Sequence, residues 1–261
     1  MQVRGDQPSR SAWIDYALVA PLPLAVFAAH AAGGATGPEA GLVLTAAAAI
    51  SLLLAWWAVR ANATPLDHRP LYPAAVCFAG LLAFVVWTVW QPSSGLRQGP
   101  LAALIGSSKV SIQPDETVLE LTKLVGLAAA VACGFILGAD PKRARRTVSL
   151  FLALGLVWTL ASLSWFLASG QARLSSPFVS PNVAASLLLC LLFPVLARTV
   201  RRMMRAKGRL VDRVIKAAPY VAYAALLTLC LTLTASRSAL ALAAILGPLL
   251  VAALLLKARP R

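Results

Sequence analysis

Eight apolar stretches of about 20 residues divide this 261-residue chain, near 13–32, 41–59, 71–90, 118–138, 147–168, 182–200, 217–234 and 237–256. A helix rises about 1.5 Å per residue, so about 20 apolar residues match a hydrocarbon core about 30 Å thick. The pattern predicts an all-α fold: a polytopic membrane helix bundle of about eight transmembrane helices, forming a single integral membrane domain over 1–261. Only 13% of the residues are charged and 59% are hydrophobic, against about 25% charged in an ordinary soluble domain. A soluble globular fold is thereby excluded.

The last two stretches form one block from Ala217 to Leu256, too long for a single crossing and interrupted by Thr234-Ala-Ser-Arg-Ser238. Basic residues lie before it (Arg213, Lys216) and after it (Lys257, Arg259, Arg261). Two crossings joined by a tight turn put both basic ends on one side of the membrane. With eight spans, 19 of the 24 Lys and Arg residues fall on the side of the amino terminus, leaving Arg97, Lys109, Lys123, Arg173 and Arg237 on the other. The positive-inside rule then places both termini in the cytoplasm. The formal charge of +15 reports topology rather than a nucleic-acid partner, and the cytoplasmic basic loops read as anchors against anionic membrane lipids.

The four cysteines, Cys77, Cys133, Cys190 and Cys230, lie in four separate apolar runs. They offer neither a disulfide framework nor a zinc site and read as packing residues. The first apolar run outlasts the core of a signal peptide and lacks a cleavage site, so it reads as a retained first span. Asp115, Glu116 and Thr117 open the fourth span, where carboxylates suit a helix amino end.

Three outward features stand apart. Arg173 lies between the fifth and sixth spans, Asn182 opens the sixth in Ser180-Pro-Asn-Val-Ala-Ala185, and Arg237 lies between the seventh and eighth. An arginine in a tight turn between two apolar helices is either a binding residue or a charge that snorkels to headgroups. Asn182 taken alone is a helix cap, and Arg173 taken alone is a loop charge.

The run Arg173-Leu-Ser-Ser-Pro-Phe-Val-Ser-Pro-Asn-Val-Ala-Ala resembles the motif of O-antigen ligases and related Wzy-type polysaccharide polymerases. In that family an Arg precedes a Gly-Thr-Phe-x-x-Pro-Asn-like segment that opens a membrane helix. Ser111-Ile-Gln-Pro-Asp-Glu-Thr117 is similar to the family's Ser-Ile-x-Pro-x-x-Thr stretch, and Leu231-Thr-Leu-Thr-Ala-Ser-Arg-Ser-Ala-Leu240 to its Ser-Arg-Gly/Ser-Ala motif. Here Ser176-Pro177 replaces the usual Gly-Thr.

The resemblance implies a GT-C-like partial fold and a glycosyltransferase working without metal, nucleotide sugar or other cofactor. It would move a glycan from undecaprenyl diphosphate on the periplasmic face to lipid A-core or a growing polysaccharide. By the same carry-over, Arg173 and Arg237 are the catalytic, diphosphate-binding cations, with Asn182 shaping the loop. Guanidinium groups suit that leaving group because they offset its charge through forked hydrogen bonds. The family's periplasmic loop with its His has no counterpart here: His30 lies outside any family motif and His68 is on the cytoplasmic side. The outward carboxylates, Glu39, Asp115, Glu116 and Glu120, form no acid/base arrangement in the sequence. Members of that family run to about twelve spans, so the resemblance implies that the chain represents the amino-terminal two-thirds of such an enzyme, through truncation, gene splitting or an incomplete gene, with a second polypeptide carrying the remaining spans. Two further readings stay open: a small transporter or flippase-like protein, and a non-catalytic scaffold of cell-surface polysaccharide assembly.

Overall fold

The computed structural model describes residues 18–31, 38–61, 72–90, 114–175, 180–206 and 209–257. Eight helices lie among them: α1 (Pro21–Ala31), α2 (Pro38–Ala61), α3 (Tyr72–Trp90), α4 (Pro114–Ala139), α5 (Pro141–Ser169), α6 (Pro181–Arg205), α7 (Leu210–Leu233) and α8 (Arg237–Lys257). Six of these, α2 and α4 to α8, are long and apolar enough to cross a membrane. All the regular structure among the described residues is helical, and the six long apolar helices make this a multi-pass membrane protein.

Several helices outrun the apolar stretches that predict them. The fifth stretch begins near 147 but α5 begins at Pro141, and the seventh begins near 217 but α7 begins at Leu210. Hydropathy reads only the part that lies in hydrocarbon, whereas Arg and Lys are good helix formers and carry the helix onward into the headgroup layer. The first expected span, 13–32, is described only from Leu18, and within it the helix breaks at Ala20 before α1 starts afresh at Pro21. Pro21 brings no N–H and restricts the residue before it, which fixes the break at that step. The expected third span coincides with α3.

Proline and its neighbours also set other starts. Between α4 and α5 a single residue, Asp140, turns the chain: its carboxylate accepts from Lys142 N at 2.8 Å and its carbonyl accepts from Ala144 N at 2.8 Å. Asp140 thus acts as the N-cap with Pro141 at the first helical position. The same carboxylate lies 3.7 Å from Arg143 Nε, offsetting a cation at a helix amino end, where the macrodipole disfavours it.

The described chain divides into two compact units. In the first, α2 and α4 pack along most of their length and α3 packs on α4. The register is parallel. Lys123 lies over Gly41, Thr45 over Gly126, and farther along Ala55 joins Cys133 and Leu137, with Val19 completing the buried cluster. Thr45 Oγ1 donates to Gly41 O at 2.9 Å and to Thr122 O across the interface at 3.3 Å.

In the second unit α6 is the most enclosed helix: 50% of its apolar window is buried, against 11% for α8. Ala184, Ala185, Leu188, Leu191 and Val195 face its neighbours, and both α7 and α8 pack against it. The end of α5 from residue 148 lies antiparallel to α6. Ser149 accepts from Arg198 Nη2 at 2.9 Å, while Gly155 meets Leu191. Tyr223 of α7 completes this contact by donating to Leu152 O at 3.1 Å. Trp165 on α5 remains exposed near the helix end, as interfacial rings do. In the first unit Trp56 and Trp57 are exposed at the Arg60 end of α2, with Arg60 5.1 Å from the Trp56 ring centroid.

Candidate functional site

The two hairpins of the second unit end in different chemistry. The α6–α7 connection carries Arg201, Arg202, Arg205, Arg209, Arg213 and Lys216, all exposed. Asp212 turns inward on itself there, accepting from Arg209 N at 3.2 Å at the start of α7. At the opposite end lie the C-terminus of α5, the N-terminus of α6 and the turn between α7 and α8. This is where the sequence places its candidate residues.

The turn is three residues, Thr234 to Ser236. Thr234 continues the helical conformation at φ −68, ψ −21, and its N–H reaches Cys230 O at 3.1 Å. Ala235 then adopts φ 51, and its N–H donates to Thr232 O at 3.0 Å. That left-handed residue ends the helix where glycine is the usual choice. For an L-residue with a Cβ the conformation costs about 1–2 kcal/mol. Ser236 restarts the chain as the residue before α8, its carbonyl accepting from Leu240 N at 3.0 Å. Thr234 and Ser236 are both buried, and their hydroxyls are used locally. Thr234 Oγ1 donates to Leu231 O at 2.7 Å and accepts from Ser236 N at 3.3 Å, while Ser236 Oγ pairs with Ser238 Oγ at 3.4 Å.

The segment after α5 docks onto this turn. Gly170, at φ 63, ends α5 as its left-handed cap, and Gln171 Oε1 accepts from Ser175 Oγ at 3.4 Å. Arg173 donates from Nε to Thr234 O at 3.0 Å and from Nη2 to Ala235 O at 2.9 Å, and Leu174 N donates to Leu233 O at 3.0 Å. Leu174 is 1% exposed, so its side chain plugs the segment into the bundle. The last carbonyls of a helix have no partners of their own and carry the negative end of its dipole. Here the guanidinium satisfies the C-cap carbonyl of Thr234 and the next carbonyl of the turn, Ala235 O, and complements that dipole. Two of its five N–H donors are spent in this way.

Arg237 is the first residue of α8 rather than a residue of the turn itself, and its side chain is exposed. Among the described residues no acceptor takes a hydrogen bond from its guanidinium. Asn182 is the second residue of α6 and is exposed too. The cap of α6 is Ser180, at φ −129, ψ 133, whose Oγ accepts from Asn182 N at 3.3 Å. Asn182 O in turn accepts from Ser186 Oγ at 3.0 Å. No hydrogen bond joins the Asn182 side chain to either arginine among the described residues. The structure therefore brings Arg173 to the turn that delivers Arg237, and leaves Asn182 at the neighbouring helix start.

Of the other sequence candidates, Asp115 and Glu116 fall in the first turn of α4 and Glu39 in that of α2. Glu120 is paired with Lys123 at 2.6 Å. Cys133 and Cys230 are buried and Cys190 is exposed. No group of His, Cys, Asp and Glu suited to a metal ion occurs among the described residues. Ser111-Ile-Gln113, Ser176-Pro177 and His68 lie outside the described residues.

Sequence reasoning missed Leu174, Thr234, Ala235 and Ser236 as the groups that fasten the site. Ser236 carried a usable signal, a serine just before a helix. Ala235 carried none. In comparisons with known proteins, no family model, no curated protein and no solved structure matches the chain.

Proposed function

We propose that this protein is an O-antigen ligase or Wzy-type polymerase-like membrane glycosyltransferase, with a GT-C-like arrangement of about eight spans in the bacterial inner membrane. In this reading the basic α6–α7 hairpin faces the cytoplasm, in keeping with the positive-inside rule, and the Arg173–Arg237 end faces the periplasm. Its ligand is a glycan carried on undecaprenyl diphosphate.

One observation carries the reading. Two short segments about 60 positions apart, each resembling a family motif, meet through three hydrogen bonds at one end of the bundle, where the Arg237 side chain is exposed. That end is rich in donors and poor in acids, which suits a diphosphate. In transfer, the bond between the sugar anomeric carbon and the diphosphate oxygen breaks. A bond forms from that carbon to an acceptor hydroxyl of lipid A-core or of a growing polysaccharide, whose proton passes to water as undecaprenyl diphosphate departs. The charge that builds on the departing diphosphate is what a guanidinium offsets.

The test is retention of radiolabelled undecaprenyl diphosphate by the purified protein in nanodiscs. Arg237→Ala is expected to lower retention about tenfold or more, the loss of one charge-assisted contact. Arg237→Lys is expected to recover only part of it, because an ammonium keeps the charge without the planar fork. Equal retention by parent and Arg237→Ala would sink the reading.

A further inference from the structure

We infer that Arg173 is a positioning residue: its guanidinium clamps the α7–α8 turn and thereby sets where Arg237 projects, without itself contacting the lipid diphosphate. The inference rests on the reading of Arg237 as the diphosphate cation. It departs from the pairing of both arginines as ligand groups that the sequence implies.

A three-residue link between two antiparallel helices must reverse the chain at once, and Ala235 does so in a conformation that strains any residue with a Cβ. Within the turn, one bond spans Ala235, from Ser236 N to Thr234 Oγ1 at 3.3 Å, while Thr234 Oγ1 and Ser236 Oγ also brace the adjoining helix ends. Further support comes from about 60 positions away. Arg173 takes the carbonyls on both sides of the Thr234–Ala235 link, Leu174 takes the one before, and the buried Leu174 side chain holds the strap down.

The geometry also separates the two arginines. Both are exposed, but Nε and Nη2 of Arg173 point at the turn carbonyls of Thr234 and Ala235, so its planar group lies against the turn. A ligand drawing it away would expose two carbonyls and release the strain at Ala235. Arg237 is two residues past Ala235 and exposed, so any change in the turn's backbone swings it directly.

The experiment separates clamp from contact. Amide hydrogen exchange over 230–240 is followed in the full chain in nanodiscs without ligand, alongside retention of undecaprenyl diphosphate. Arg173→Ala is expected to speed exchange of the turn roughly tenfold, the loss of its charge-assisted bonds to the carbonyls, and to lower retention. Adding Ala235→Gly to Arg173→Ala removes the left-handed cost, and is expected to return exchange toward the parent rate and most of the retention with it. Arg237→Ala should lower retention while leaving exchange of the turn unchanged.

An unchanged exchange rate in Arg173→Ala would overturn the clamp. Recovery of exchange without recovery of retention in the double variant would show that Arg173 touches the ligand itself. Should the parent retain no lipid diphosphate, the proposed function fails and Arg173 loses its role toward a ligand, while the exchange comparison still decides whether it holds the turn.

Discussion

Thr45 of α2 rests directly on Gly126 of α4: a methyl group added at Gly126 would lie 2.9 Å from the Thr45 Cα and 2.6 Å from its Oγ1. The neighbour is main chain, which cannot swing aside, so the two helices would have to separate. In lipid, helix association draws on close packing rather than on hydrophobic burial, and small residues at the contact are what permit it. Gly126→Ala is expected to destabilise the protein by about 1–3 kcal/mol. Gly134, two turns farther along the same helix, has open space around it, so Gly134→Ala should stabilise by about 0.5–1 kcal/mol through helix propensity alone. Denaturant unfolding in mixed micelles measures both, and equal effects would contradict the parallel α2–α4 contact.

Tyr223 gives a second, smaller prediction. Its hydroxyl donates to Leu152 O, a carbonyl within α5 that also serves its own helix. Tyr223→Phe therefore strands no acceptor and keeps the ring's packing. The expected cost is about 0.6 kcal/mol and at most about 1.7 kcal/mol, the range of hydrogen bonds between membrane helices. A loss above about 3 kcal/mol, read by the same unfolding assay, would mean that the hydroxyl serves more than its contacts with Leu152 O and the buried Thr159 side chain.

The two left-handed residues should respond with opposite signs. Gly170 has φ 63 and free space around the site of a Cβ, so Gly170→Ala is penalised by backbone conformation alone, about 1–2 kcal/mol. Ala235 already bears that cost, and Ala235→Gly should gain roughly 0.5–1 kcal/mol, the relief less the added chain entropy of glycine. Thermal unfolding of the two single variants checks the pair. A stabilising Gly170→Ala would mean that α5 does not end in a left-handed cap.

Orientation is tested by labelling. With the native cysteines replaced, Gln171→Cys beside the Arg173 strap and Arg205→Cys at the end of α6 occupy opposite ends of the second unit. In intact cells an impermeant maleimide should modify Gln171→Cys, and Arg205→Cys only after permeabilisation, as the distribution of basic residues requires. The reverse pattern would invert the topology and put the candidate site in the cytoplasm.

The apolar stretches and the charges between them determined, from sequence alone, that the chain is a helical membrane bundle, where most of its helices run and that 217–256 is a hairpin. Those properties are local: hydrocarbon thickness fixes the length of an apolar run, and proline or a capping side chain fixes a helix start within one turn. The sequence also supplied Arg173 and Arg237 as candidates, because an arginine beside an apolar helix is costly and conspicuous. It could not separate their roles. Whether a guanidinium faces a ligand or a helix carbonyl depends on which chain end folds against it. Only the tertiary structure brought Arg173 and Leu174 onto the carbonyls of Leu233, Thr234 and Ala235. The strain at Ala235 was equally hidden, since alanine is an ordinary helix residue until a three-residue reversal forces it to positive φ.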